Sequence, residues 1–122
     1  MDMLHAEARI RICGDSQIFG PGIVQLLANV EKTGSVKEAC ALMGMSYSKG
    51  WRIVNRAEQE LGIRLIERRH GGRCGGSCTV TVQGRKMAAN YEKMVREIEA
   101  YTEQTFQMYF PEYGEDFGKE NP

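Results

Sequence analysis

Between Gly34 and Gly62 the chain spells two short helices joined by a tight turn, and this segment restricts the fold more than any other. Ser35 can cap the first helix, and Glu38, three residues on, is placed to reach back to the capping residue's N–H as a capping box. Val36, Ala39, Cys40 and Met43 fall on one face, and the small Ala39 lets a second helix approach closely. Gly44 ends this helix, Met45 packs in the turn, and Ser46 can cap a second helix running to about Leu61. In that helix Tyr47, Gly50, Trp51, Val54, Ala57 and Leu61 recur at helical spacing and mark a buried stripe, with Trp51 assigned to the core. Ser48, Lys49, Arg52, Asn55, Arg56 and Gln59 take the other side. A helix pair with a glycine turn, whose second member exposes basic and hydrogen-bonding groups, is a helix-turn-helix pattern. The alternative is a helical hairpin that meets no nucleic acid.

The flanking segments favour the first reading. Residues 8–13 alternate apolar and basic side chains, the period of a half-buried strand, and turn-rich stretches follow at Gly14-Asp15-Ser16 and then Phe19-Gly20-Pro21-Gly22. Pro21 suits a helix start, Ile23, Leu26, Leu27 and Val30 give that helix one apolar face, and Gly34 stops it. Beyond Gly62, residues 64–68 read as a strand, 70–77 as a flexible glycine- and arginine-bearing tip, and 78–81 as the return strand. A hairpin directly after the helix pair is a wing, whose N–H and guanidinium groups suit phosphates or the minor groove. Thr81 then caps a helix from about Val82 to Tyr109, roughly 40 Å long. Met87, Tyr91, Met94, Ile98, Tyr101, Thr105 and Met108 step along it by alternating fours and threes, a heptad stripe. Three short helices cannot cover such a length, so a second copy is the expected cover; the alternative is a helix folded back as core. The fold class expected is mainly α with a small β component: residues 1–110 form one domain including its dimerisation helix, and 111–122 an acidic, frayed tail.

A net charge of zero hides an asymmetry that bears on partners. Residues 45–86 carry nine basic side chains against three acids, whereas residues 87–122 carry three against eight. A basic middle beside an acidic end suits a polyanion bound on one surface. Hydropathy offers no membrane span and the N-terminus no secretory signal, so no membrane is expected and the cytoplasm is the expected location. Disulfides are not expected there among Cys13, Cys40, Cys74 and Cys78, and Cys40 reads as a small core residue. His70, Cys74 and Cys78 supply at most three metal ligands, at a spacing unlike the usual zinc knuckle. Neither His5 nor His70 has an evident nucleophile or acid partner, so no enzyme and no cofactor are expected.

With these residues in place, the chain resembles the N-terminal DNA-binding region of ModE, the molybdate-responsive regulators, within the wider LysR-like helix-turn-helix group. The likeness lies in Thr33-Gly-Ser35, Gly44-Met-Ser-Tyr47 followed by Trp51, Glu58-x-x-Leu-Gly62, Leu65-Ile-Glu-Arg68, the Gly71-to-Gly76 wing, and Val80-Thr81 through Gly84 to Tyr91. It spans about residues 8–100, with Cys74 and Cys78 departing from the small or basic residues usual in such wings. The resemblance implies a winged helix-turn-helix homodimer on double-stranded DNA, reading an inverted repeat with the third helix in the major groove. Molybdate sensing does not carry over, because the family's molybdate-binding C-terminal domains have no counterpart in these 122 residues; an effector stays open. Expected DNA contacts come from Lys49, Arg52, Asn55 and Arg56 on that helix and from Ser46, Tyr47 and Ser48 at its start. Arg68, Arg69, Gly71, Gly72, Arg73, Gly75 and Gly76 would hold backbone from the wing. Two other functions compete: a thiol- or metal-responsive regulator using His70, Cys74 and Cys78, and a winged protein-interaction module docking through the long helix.

Overall fold

The computed structural model describes residues 3–69 and 77–114. In chain order the elements are β1 (Ile12–Cys13), β2 (Gln17–Phe19), α1 (Pro21–Thr33), α2 (Val36–Leu42), α3 (Tyr47–Leu61), β3 (Ile66–Arg69), β4 (Ser77–Val80) and α4 (Val82–Tyr109), then a single 3-10 turn at Pro111–Tyr113. The chain divides into two compact units. One is Arg11–Tyr91, and the other joins Met1–Ile10 to Glu92–Pro122.

The first unit is a three-helix core with two small antiparallel sheets. Leu26, Val30, Ala39, Val54, Ala57 and Leu65 are fully buried, so α1, α2, α3 and the entry to β3 share one apolar interior. Local chemistry sets the helix ends. Pro21 occupies the first turn of α1, and Gly34 and Gly62 close α1 and α3 at φ 73° and 70°, a left-handed conformation that side chains with a Cβ avoid. The Ser35 hydroxyl accepts the Glu38 N–H at 3.1 Å and starts α2; Ser46 accepts the Lys49 N–H at 3.1 Å and starts α3. Only half of the expected capping box forms. The Ser35 N–H goes to the Thr33 hydroxyl at 3.2 Å, and that hydroxyl in turn donates to the Asn29 carbonyl, so the donor Glu38 was expected to serve is already satisfied.

Long-range ties then fix α2 against α3 and α3 against the hairpin. Gly50 presses on Cys40 so closely that a Cβ there would collide with the Cys40 sulfur. Burial pushes the Cys40 thiol pKa up. The Glu58 carboxylate accepts the Leu65 and Ile66 N–H groups at 2.8 and 3.2 Å and thereby sets the chain's exit from α3 into β3. In the hairpin Ile66 faces Val80 and Arg68 faces Cys78. The Cys78 N–H bonds the Gly34 carbonyl at 2.8 Å, which pins β4 beside the start of the helix pair. Thr81 caps α4 by accepting the Gly84 N–H at 2.9 Å.

At the N-terminal end the expected strand over residues 8–13 shortens to Ile12–Cys13 and pairs with Gln17–Phe19, a strand that was not expected. Phe19 is buried and meets Tyr91 edge-on at 5.6 Å. In the second unit the segment around Leu4 is tied by a 2.9 Å bond from its N–H to the Tyr113 carbonyl. Met3, Leu4 and His5 line a groove there with Thr102 and Phe106.

Candidate nucleic-acid interface

Helical spacing places the polar residues of α3 in two neighbouring rows, and the structure gathers them. Tyr47, Ser48, Arg52, Asn55, Arg56 and Gln59 line one open depression together with Trp51 and, from β3, Arg68. Lys49 and Arg69 are exposed outside it, and Ser46 is occupied as the helix cap. Arg64, absent from the expected contacts, is exposed on the adjoining surface beside Asn55 and Gln59. Gln59 itself was legible as the i+4 neighbour of Asn55. Among the described residues only His5–Glu7 and Arg85–Glu31 form ion pairs, so Lys49, Arg52, Arg56, Arg64, Arg68 and Arg69 have no carboxylate within salt-bridge distance. Two acids of this region have other business: Glu58 is turned to backbone N–H groups, and Glu60 lies against Gly14 in the β1–β2 turn. Glu58 and Glu67 share an adjoining depression with Arg64 and Arg68 without pairing directly to either, so the surface keeps six cations free of direct ion pairs among the described residues, a condition that favours holding phosphates.

Three side chains differ from their expected places. Tyr47, expected in the buried stripe, is 51% exposed at the start of α3. Arg56 donates to the Ser16 hydroxyl in the β1–β2 turn, so one of its nitrogens is engaged within the chain. Trp51, expected in the core, is only half-buried: Val54 and Ala57 centre the stripe and Trp51 lies at its margin. Its ring meets Tyr47 edge-on at 6.5 Å and carries the Arg68 guanidinium 3.9 Å above its centroid. The hairpin explains that contact, since strand alternation puts Arg68 on the same side as buried Ile66, where it reaches Trp51 while staying exposed to solvent.

The wing residues Gly71, Gly72, Arg73, Gly75 and Gly76 lie outside the described residues, as do His70 and Cys74. Cys78, the remaining member of the suggested ligand set, is a half-buried free thiol on β4, and no group of metal-ligating side chains occurs among the described residues. Along α4 the expected stripe is uneven. Tyr91 is buried against Phe19 of its own chain and so is removed from any free face. Met87, Met94, Ile98 and Thr105 are half-buried, while Tyr101 and Met108 are 66% and 65% exposed. No helix among the described residues is long and apolar enough to cross a membrane.

Comparison with known proteins follows the same outline. The family model for the bacterial regulatory helix-turn-helix protein, lysR family, matches residues 23–85, from α1 to the start of α4. The transcriptional regulator ModE of Yersinia pestis is 28% identical over 90 residues, which cover 73% of this chain and 34% of that protein. The molybdenum-pterin-binding protein MopB of Rhodobacter capsulatus is 34% identical over 73 residues, 60% of this chain and 27% of its own length. The chain thus spans between about a quarter and a third of the length of these relatives. Among solved structures, the CbnR DBD–DNA complex superposes with a TM-score of 0.54 at 17% identity, covering 72% of this chain and 95% of that one, a likeness of fold. With more than half of its residues matched by the family model, the chain belongs to the lysR family of bacterial regulatory helix-turn-helix proteins.

Proposed function

We propose that this protein is a transcriptional regulator that binds double-stranded DNA in a sequence-specific manner as a homodimer. The observation that carries the reading is the surface of α3 and β3, whose cations make no direct ion pair among the described residues and on which seven side chains from α3 and one from β3 share a single depression. In this reading α3 enters the major groove, where Arg52 and Asn55 reach base edges, Arg having the donor fork for guanine and Asn the amide for adenine. Lys49, Arg64, Arg68, Arg69 and the Gly71–Gly76 wing hold phosphates, and the start of α3 at Ser46–Ser48 presents N–H groups to another. Two copies related by a two-fold axis would set their recognition helices about 34 Å apart, and the site would be an inverted repeat. The family membership and the ModE relatives, named as transcriptional regulators, support the assignment.

The test is selection of bound duplexes from a random pool with the full chain, followed by affinity measurements across a salt series. An enriched inverted repeat is expected, with affinity falling steeply as salt rises. Arg52→Ala should cost roughly 1–3 kcal/mol on the selected site and relax preference at one position of each half-site. No enrichment, together with no duplex binding at low salt, would refute the reading.

A further inference from the structure

We infer that Trp51 is a positioning residue for DNA binding, a flat platform that holds the Arg68 guanidinium beside the recognition helix so that α3 and the wing strand meet one backbone as a single rigid surface. The inference rests on the DNA-binding reading above and names how one of its contacts is built. Arg68 sits 3.9 Å over the centre of the indole. Stacking occupies a guanidinium's face and leaves its edges, where all five N–H donors point, free for the oxygens of a backbone phosphate. Among the described residues Arg68 has no carboxylate within salt-bridge distance, so that edge is not spent inside the chain. Its position in the depression with Ser48, Arg52 and Asn55 aims it at whatever those side chains contact.

Trp51 is poorly explained as a packing residue. It lies at the margin of the buried stripe, and its indole Nε1–H is buried with no hydrogen-bond partner among the described residues. A buried donor without an acceptor works against the folded state, and a leucine would fill the same margin without that cost. What leucine lacks is the π-face that attracts a cation. Tyr47, edge-on to the same ring, closes the platform on its N-terminal side.

Trp51 is the chain's one tryptophan, so its emission reports on the stack directly. With the full-length protein and no DNA, Arg68→Ala should uncover the ring and raise its quenching by acrylamide, whereas Arg68→Lys should change it less. Unchanged quenching in Arg68→Ala would overturn the inference, whatever the DNA results. Binding is then measured on a duplex chosen from the random pool. Arg68→Ala should weaken binding and lower the slope of log affinity against log salt by about 0.9, one phosphate's worth. Trp51→Leu keeps the charge, so it should weaken binding about two- to five-fold with a smaller change of slope. Trp51→Phe, which retains an aromatic face, should restore most of that loss.

The decisive comparison is the double variant. Trp51→Leu combined with Arg68→Ala should bind no worse than Arg68→Ala alone, because the indole acts through the guanidinium. Additive losses would overturn the inference. If Trp51→Leu does not fold, Trp51→Phe with and without Arg68→Ala completes the same cycle. Arg52→Ala separates the two levels of the argument. A parent that binds duplex and is weakened by Arg52→Ala, yet shows no coupling between Trp51 and Arg68, sinks this inference alone. A parent that binds no duplex sinks the regulator reading itself, while the quenching result still stands or falls on its own.

Discussion

The Arg11–Tyr91 unit and the C-terminal part of α4 solve opposite halves of the same problem. In the first, the apolar residues at the centre of the helix pair, Val36, Ala39, Cys40, Val54 and Ala57, are buried, and the exposed cations of α3 and β3 make no ion pair among the described residues. In the second, from Glu92 onward, no described side chain is fully buried, and what remains open is apolar: Tyr101, Met108, Tyr109, Phe110 and Tyr113 are all exposed. The first region closes its own core and leaves the cations of α3 and β3 unpaired; the second leaves apolar side chains uncovered. The lesson is that the two regions call for partners of different chemistry, a polyanion for the first and an apolar surface for the second. The proposed protein–DNA homodimer supplies both.

The comparison breaks most readily at Phe19. It is 1% exposed and edge-on to Tyr91, so Phe19→Ala removes a full core ring and should cost about 3–5 kcal/mol in urea unfolding. A loss under 1 kcal/mol would mean that the first unit is not closed by this contact. Next comes Glu58, whose carboxylate takes two N–H groups of buried residues. Glu58→Ala strands both donors and should cost about 2–4 kcal/mol, whereas Glu58→Gln keeps one acceptor oxygen and should cost about 1 kcal/mol. Equal losses in the two variants would show that the carboxylate matters for its bulk rather than its hydrogen bonds. Smaller again is Ser35→Ala, which removes the α2 cap and should cost about 1 kcal/mol in the same assay.

These residues also show how far the sequence could be read. Caps, stops and stripes obey rules that act over three or four residues, so Ser35, Ser46, Thr81, Pro21, Gly34 and Gly62 were all legible, and with them the order of the four helices and the hairpin between α3 and α4. Glu58 was visible only as a motif residue, because its partners lie seven and eight residues on, across the turn into β3. Trp51 illustrates the other limit. Helical periodicity assigns a residue to a face but does not separate the centre of the stripe from its margin. The side chain that caps the ring comes from a strand whose packing no local rule predicts. The strand at residues 8–13 was misjudged in length for the same reason: alternation marks a strand, while the register with Gln17–Phe19 fixes where it ends. Cations on α3 were legible as a set; their lack of direct ion pairs was not, since that depends on where Glu58 and Glu60 turn.

The smallest expected effect on the fold is the most informative about the second region. Tyr101 and Met108 leave about two-thirds of their surface in solvent, so Tyr101→Ser with Met108→Gln removes almost nothing from the chain's own packing. Unfolding measured on dilute, dissociated protein should therefore shift by less than about 0.5 kcal/mol. If the same face is covered by a second copy, each side chain there buries apolar area worth about 1.5–3 kcal/mol on association. The double variant should then raise the dimer dissociation constant by more than tenfold in sedimentation equilibrium and make its melting temperature depend more steeply on protein concentration. Loss of self-association with an intact fold would locate the dimer contact on this stretch of α4. An unchanged dissociation constant would place it elsewhere and leave the exposed aromatic residues to a different apolar partner. A large loss of monomer stability would overturn the contrast itself, since it would mean that this region, like the first, is packed by its own chain.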